Sequence, residues 1–193
     1  KIKKKMKKNP TYQIFALLFL NKKNEEVISH ILTDLCKIPK ECVQRRMHMT
    51  IYHSRRPLPG VSFGSWSENI KANIDETRFM VLAPGGENPK ANLIPSERSV
   101  AIRLTKRNNA IQRILELRRG IYKFENQHVL KNRRQKTSDW INAFGASHFQ
   151  AHIKLIRPGS GIDNDLKKIG VIFRENVKEL FFDRYEINKL TRD

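Results

Sequence analysis

The chain has 193 residues and a formal net charge of +19, from 38 Lys and Arg residues against 19 Asp and Glu residues. Hydrophobic residues make up 39% of it and come in short runs separated by turn residues, which excludes a largely disordered chain. A positive field of this size concentrates polyanions near the surface, so it favours nucleic acid or a nucleotide phosphate as the partner.

The N-terminal residues resemble the start of a signal peptide but lack its later parts. Lys1 to Lys8 contains six lysines, and Ile14 to Leu20 is an apolar run. That run is too short to span a bilayer, and no small-residue cleavage site follows it. We therefore expect a basic tail over residues 1–9, a single domain over residues 10–190, a cytoplasmic location and no membrane partner.

The cysteine content argues against a zinc centre. Cys36 and Cys42 are the only cysteines, and no second pair completes a set of zinc ligands. We expect two free thiols in a reducing compartment, with no metal and no other cofactor.

The first third of the chain predicts a strand, a helix and a second strand. Tyr12 to Leu20 is rich in aromatic and apolar residues, as strands are. Asn24 to Cys36 has apolar residues at helical spacing behind an Asn-Glu-Glu start, which predicts a helix. Arg45 to His53 alternates as a strand and ends before a turn containing two prolines and Gly60.

The middle of the chain predicts two strands and a helix. Thr77 to Ala83 and Ser99 to Thr105 are the strands, and Pro84 to Glu97 between them has the Gly and Pro content of a loop. Asn109 to Phe124 predicts an amphipathic helix, and the basic residues from Lys131 to Thr137 predict a linker.

The last part of the chain predicts strands only. Ser147 to Arg157 alternates as a strand, and Val171 to Arg174 and Glu179 to Ile187 give further strand signals. The mixed order of strands and helices favours an α+β fold with antiparallel sheets.

A histidine is paired with a phosphate-binding side chain on each of two predicted strands. Side chains two apart in a strand share a face, so His48, Thr50 and Tyr52 are predicted to point one way and Met49 and Ile51 towards the core. His53 is predicted on the core side as well.

The second strand repeats this arrangement. His152 and Lys154 are predicted on one face, with His148 before them, and Ile153 and Leu155 on the other. His48-Met49-Thr50-Ile51 and His152-Ile153-Lys154-Leu155 therefore look like one element used twice.

Two histidines of this kind suit phosphodiester chemistry. Transesterification or hydrolysis at phosphorus needs one base and one acid, and histidine can serve as either near neutral pH. A neighbouring hydroxyl or ammonium group can hold the nonbridging oxygens as charge develops. Neither role requires a metal.

The two motifs resemble those of the 2H phosphoesterase superfamily, which includes 2'-5' RNA ligase-like proteins and cyclic phosphodiesterases. The family has two H-x-[ST] motifs, one in each of two related lobes. His48-Met49-Thr50 matches the first, and the run Phe149 to Leu155 is similar to the second. Leu180 to Ile187 (LFFDRYEI) is similar to the family's last strand, so the likeness spans roughly Tyr12 to Ile187.

The resemblance implies a bilobal α+β domain with two related antiparallel sheets, flanked by helices, and an active-site cleft between the lobes. It also implies catalysis by His48 and His152 and phosphate binding by Thr50 and Lys154. The second motif has Lys154 where the family has Thr or Ser, which either alters substrate preference or marks a site that binds without turnover. We further expect four residues to bind substrate: Tyr52, Arg55, His148 and Arg157.

The predicted function is a metal-independent phosphodiesterase, or ribonuclease, acting on RNA or nucleotide phosphodiesters with 2',3'-cyclic, 2'-5' or 3'-5' linkages. Two alternatives stay open: a hydrolase of cyclic oligonucleotide signals, as in some phage members of the family, and a non-catalytic RNA-binding module. A histidine-dependent RNA endonuclease of the CRISPR-processing type ranks lower, because the paired motifs and the closing strand fit the 2H phosphoesterases better.

Overall fold

The computed structural model describes residues 11–54, 58, 60–82, 99–131, 149–158 and 166–192. The strands are β1 (Thr11–Leu20), β2 (His48–Ser54), β3 (Gly64–Asn73), β4 (Thr77–Leu82), β5 (Ser99–Leu104), β6 (His152–Ile156) and β7 (Glu179–Arg192). The helices are α1 (Lys22–His30), α2 (Ile111–Lys131) and α3 (Leu166–Asn176). A π-helical turn, Ile31–Leu35, continues α1, and two short 3-10 turns lie at Lys40–Cys42 and Ile74–Glu76.

All seven strands belong to one antiparallel sheet in the order β3-β7-β1-β2-β6-β5-β4. This confirms the predicted α+β class and the antiparallel pairing. The structure has one continuous sheet where two were predicted, and the division into lobes with a cleft stays a prediction. The pairing at the middle of the sheet is the shortest, because β2 and β6 share only the pair Met49 and Ile153.

The hydrophobic core lies between one face of the sheet and the three helices. Met49 and Ile153, in the two central strands, are fully buried there. They share a cluster with Ile28 of α1, Ile114 of α2 and Phe173 of α3. The opposite face, which none of the described helices covers, carries His48 and His152; we call it the polar face.

Helix α3 corrects one prediction. Val171 to Arg174 was expected to be a strand, but it lies inside the helix Leu166–Asn176. The reason is the spacing of the buried residues: Ile169, Gly170 and Phe173 recur at helical intervals and pack on the core. Over four residues, an apolar strand and an apolar helix segment look alike.

Strand β3 was missed by the sequence analysis. Its first six residues carry no buried side chain, and only Ile70 and Ala72 reach the core. The strand forms because it pairs along β7, from Gly64 opposite Ile187 to Asn73 opposite Glu179. An exposed edge strand of this kind lacks the alternation by which strands are recognised.

The other predicted elements agree with the structure apart from their ends. Helix α2 extends to Lys131, beyond the predicted end at Phe124, and β6 is shorter than the predicted Ser147 to Arg157. The predicted tail over residues 1–9, the loop over 84–97 and the linker after Lys131 lie outside the described residues. No helix in the described ranges is both long enough and apolar enough to cross a membrane.

Candidate active site

The two motif strands are neighbours at the centre of the sheet. Their antiparallel pairing at Met49 and Ile153 sets Thr50 opposite His152 and His48 opposite Lys154. Directly opposite residues have Cβ atoms about 4.5–5.5 Å apart, and diagonal pairs such as His48 and His152 about 7–8 Å. The pairing therefore gathers both histidines, a hydroxyl and an ammonium group on the polar face.

Each histidine is held by a hydrogen bond of the same type, to the carbonyl oxygen two residues earlier. Nδ1 of His48 lies 2.8 Å from the carbonyl oxygen of Arg46, and Nδ1 of His152 lies 2.8 Å from that of Gln150. A carbonyl oxygen only accepts, so in both rings Nδ1 carries the hydrogen and donates it. When the imidazole is neutral, Nε2 is then the basic nitrogen, the arrangement that general bases use.

The carbonyl that holds His48 is itself positioned by helix α1. Arg46 adopts a positive backbone φ of 51°, which residues other than Gly rarely adopt. Its backbone N–H donates to the Glu25 carboxylate over 2.7 Å. Glu25 thus fixes the backbone turn that aims the Arg46 carbonyl at the histidine.

A β-bulge follows the histidine in each motif strand. In β2, Thr50 pairs with Leu17 and Tyr52 with Ala16, so Ile51 has no partner on β1. In β6, Lys154 pairs with Ala101 and Ile156 with Val100, so Leu155 has no partner on β5. A bulge inserts one residue and reverses which face the following side chains take.

The bulge in β2 corrects the predicted orientation of Tyr52 and His53. Tyr52 is 1% exposed and belongs to the core, with the Arg118 guanidinium 5.8 Å from its ring centre. His53, expected on the core side, stacks on Phe15 with ring centroids 5.5 Å apart. Tyr52 therefore does not lie beside His48 and Thr50.

Each bulge leaves a buried carbonyl that needs a donor. The Ile51 carbonyl accepts from Nη1 of Arg118, a buried side chain of α2, over 3.0 Å. The Leu155 carbonyl accepts from the backbone N–H of Gln44 over 2.8 Å. The same local distortion is stabilised by a side chain in one strand and by the main chain in the other.

The surroundings of His152 favour its neutral form. Burial lowers its pKa below the usual 6.5, and the charges of Lys154, Arg103 and His48 lower it further, against the Gln150 carbonyl, which raises it. A neutral imidazole with Nδ1 protonated presents a basic Nε2 at neutral pH.

Two arginines that the sequence analysis did not single out extend the site towards β4. Arg103 pairs directly with His152, and Arg78 pairs directly with Arg103. Neither has an ion pair within the described part of the chain, and the same holds for Lys154. The sequence signal for Arg103 was a lone charge between the buried residues Ile102 and Leu104.

On the other side of the histidines, the arginines are engaged. The guanidinium carbons of Arg46 and Arg184 lie 5.1 and 4.6 Å from the ring centre of Phe19, which tilts against His48 with centroids 5.5 Å apart. Glu186 lies 2.9 Å from Arg184 and 4.0 Å from Arg46. This flank has a carboxylate between its two arginines, whereas the arginines towards β4 have none as an ion-pair partner in the described residues.

Among the remaining predicted site residues, Arg157 lies in the described part of the chain, outside the group around the histidines. Arg157, just beyond the end of β6, donates to the Glu41 carbonyl and lies five residues along the chain from His152. Arg55 and His148 lie outside the described residues. Their predicted roles in substrate binding stay predictions.

The described residues contain no metal-binding cluster, and their cysteines are free thiols. Over the described ranges, no three His, Cys, Asp or Glu side chains lie close enough together to hold a metal ion. Cys36 and Cys42 are free thiols; burial raises the pKa of the Cys36 thiol.

The chain matches no protein-family model, and no curated protein is significantly similar to it in sequence. The resemblance to the 2H phosphoesterases therefore depends on the two motifs and the closing strand alone.

Proposed function

We propose that the chain is a phosphodiesterase acting on RNA or nucleotide phosphodiesters, with His48 and His152 as its acid–base pair. The observation that carries this proposal is the matched pair of Nδ1 hydrogen bonds, each 2.8 Å long, on two adjacent strands. Because Nδ1 of each ring is engaged by a backbone carbonyl, Nε2 is in each case the nitrogen left for a substrate on the polar face.

The proposed reaction uses the histidines in different protonation states. His152, whose pKa is lowered by burial, takes a proton on Nε2 from water or a ribose hydroxyl, and that oxygen forms the new bond to phosphorus. As the P–O bond to the leaving oxygen breaks, that oxygen takes a proton from Nε2 of protonated His48. One proton is gained and one is lost, so the total number of protons on the pair is unchanged and the two histidines have exchanged protonation states.

The groups opposite the histidines supply phosphate binding. The Thr50 hydroxyl beside His152 and the Lys154 ammonium beside His48 can bind the nonbridging oxygens where negative charge develops. Lys154 is exposed on the polar face, so it binds as a mobile point charge rather than as a fixed donor. With these charges present, the proposed mechanism is independent of a metal.

A bilobal arrangement is part of the same proposal. The strands β3, β7, β1 and β2 form one half of the sheet and β6, β5 and β4 the other. At the joint, β2 and β6 share a single residue pair, and a bridge between Val43 and Ile156 adds to it. Each half contributes one bulged histidine strand. A substrate bound across this joint contacts both halves.

The test is turnover in excess EDTA with a panel of substrates, followed by chromatography of the products. The panel contains 2',3'-cyclic nucleotides, 2'-5' and 3'-5' linked oligonucleotides, cyclic oligonucleotides and structured RNA. Cleavage should persist in EDTA and disappear in both His48→Ala and His152→Ala. His30→Ala is the matched control, because His30 is an exposed helix residue paired with Asp34.

Two results would count against the proposal. Retained cleavage in both histidine variants would assign the activity to other groups. Absence of cleavage across the panel, together with salt-sensitive RNA binding, would favour the non-catalytic RNA-binding module, for which the exposed Lys154 in place of a hydroxyl is the supporting observation.

A further inference from the structure

A row of cations, without ion pairs to any of the described residues, runs from the histidines towards one edge of the sheet. His152 pairs with Arg103 on β5, and Arg103 pairs with Arg78 on β4. Lys154 stands two residues from His152 on the same face. We call Lys154, Arg103 and Arg78 the basic row.

The pairing of Arg103 with Arg78 is unfavourable by itself. Like charges directly opposite each other on neighbouring strands repel, and no carboxylate in the described residues forms an ion pair with either one. An anion bound between them removes this repulsion. The two arginines therefore have the arrangement of an anion site rather than of a stabilising surface pair.

The contrasting flank shows that the row is not a general feature of the polar face. Arg184 and Arg46 share the Glu186 carboxylate and contact the Phe19 ring, whereas the basic row has no carboxylate partner in the described residues. A second phosphate is therefore attracted more strongly to the side of the basic row, which gives the substrate a direction across the strands.

The distance along the row separates short substrates from longer ones. Neighbouring strands are about 4.8 Å apart, so Arg78 lies two strands and about 10 Å from the backbone of His152. A single phosphate held between the histidines leaves Arg78 without contact. A chain with a second phosphodiester can reach it.

We infer that the substrate is a single-stranded oligonucleotide whose next phosphate beyond the reacting one binds the basic row at Arg103 and Arg78. This inference rests on the proposed function and narrows it to substrates with at least two phosphates. It also orients the strand from the histidines towards β4.

The experiment compares three substrates in excess EDTA: a 2',3'-cyclic mononucleotide, a linear trinucleotide ending in a 2',3'-cyclic phosphate, and a cyclic trinucleotide. The quantity measured is kcat/KM for each, expressed as its ratio to that for the mononucleotide. Arg78→Gln should lower the linear ratio about tenfold, the loss expected for one charge-assisted phosphate contact. Arg119→Gln, which removes an exposed charge on α2, should leave the ratio unchanged.

Binding to an uncleavable trinucleotide gives a second readout that does not need turnover. The slope of log K against log salt should become shallower by about 0.7 in Arg78→Gln, the value for one contact to a single strand. An unchanged ratio and an unchanged slope would overturn the inference. A higher kcat/KM for the cyclic trinucleotide than for the linear one would contradict a linear strand as the substrate.

The failure of the inference is distinguishable from the failure of the proposed function. If cleavage still depends on His48 and His152 but Arg78→Gln affects all substrates equally, only the inference falls. If nothing is cleaved while the salt slope still depends on Arg78, the proposed phosphodiesterase activity is rejected and the oligonucleotide-binding site is retained.

Discussion

The two histidine strands are alike in their local geometry and differ in what supports it. In β2 and β6 alike, the ring donates from Nδ1 to the carbonyl two residues earlier, and a bulge follows three residues after the histidine. The β2 geometry depends on side chains of helices, Glu25 of α1 and Arg118 of α2. The β6 bulge is held by the main chain of Gln44.

This difference shows where each histidine is vulnerable to substitution. A side-chain donor is lost when its residue changes, whereas a backbone N–H remains whatever side chain occupies the position. We therefore expect substitutions on the helices to displace His48 and to leave His152 in place. The following experiments test this asymmetry, starting with a substitution for which the two strands should behave alike.

Removal of either imidazole should have the largest effect and should make the two strands equivalent. His48→Ala and His152→Ala should each lower kcat on the order of 10²–10⁴-fold, the usual contribution of one acid–base group. The double variant should lose little more than either single one, because the pair acts as a unit. Single-turnover rates with circular dichroism as a folding control measure this. Additive losses would show that the histidines act independently.

Loss of the side-chain donor at the β2 bulge should destabilise the protein. Arg118→Met keeps an unbranched apolar stem in the buried position but leaves the Ile51 carbonyl without its donor, so the free energy of unfolding should fall by about 1.5–3 kcal/mol. Gln44→Ala, which retains the backbone donor to Leu155, should change it by less than about 0.5 kcal/mol. Urea unfolding measures both. Similar losses in the two variants would contradict the asymmetry.

Loss of the Glu25 carboxylate should loosen the turn before His48. Glu25→Ala removes the acceptor of the Arg46 N–H, which should cost about 0.5–1.5 kcal/mol of stability and lower kcat. Glu26→Ala is the matched control, since Glu26 is an exposed residue of the same helix and pairs with Lys22. Arg46→Gly should retain turnover, because Gly adopts the positive φ readily. Equal kcat in Glu25→Ala and Glu26→Ala would show that the turn needs no side-chain support.

The smallest expected effect is a shift in the titration of His152. Its pKa lies below 6.5, so between that lowered value and 6.5 the folded state binds fewer protons than the unfolded state. Its contribution to stability is therefore complete above pH 6.5 and is lost as the pH falls through this window. Arg103→Gln removes a neighbouring positive charge and should raise the pKa. NMR titration, with His152→Ala to identify the resonance, measures the shift; a downward shift would contradict the assignment of Arg103 beside His152.

Much of the candidate site followed from a simple property of strands. Because the side-chain period is two, the pattern His48-Met49-Thr50 required the histidine and the threonine to share a face once Met49 entered the core. The same argument placed His152 with Lys154. The buried positions of Met49 and Ile153 agree with both predictions.

The orientation of Tyr52 could not be predicted in this way. The alternation holds only while the register holds, and the bulge at Ile51 exists because β1 pairs with Thr50 and Tyr52 but not with the residue between them. A bulge is a property of two strands together. Within a single strand its sign is two consecutive buried residues, Ile51 and Tyr52 in β2 and Leu155 and Ile156 in β6.

The sequence by itself determined the α+β class, the two histidine strands and the face that each histidine takes, because these depend on local periodicity and burial. The tertiary structure decided which strands are neighbours. It brought β2 beside β6, set Arg103 beside His152 and Arg78 beside Arg103, and formed β3 on the edge of β7. Such pairings join residues far apart in the chain, and the free energy that selects them comes from the packing of the whole sheet on its helices.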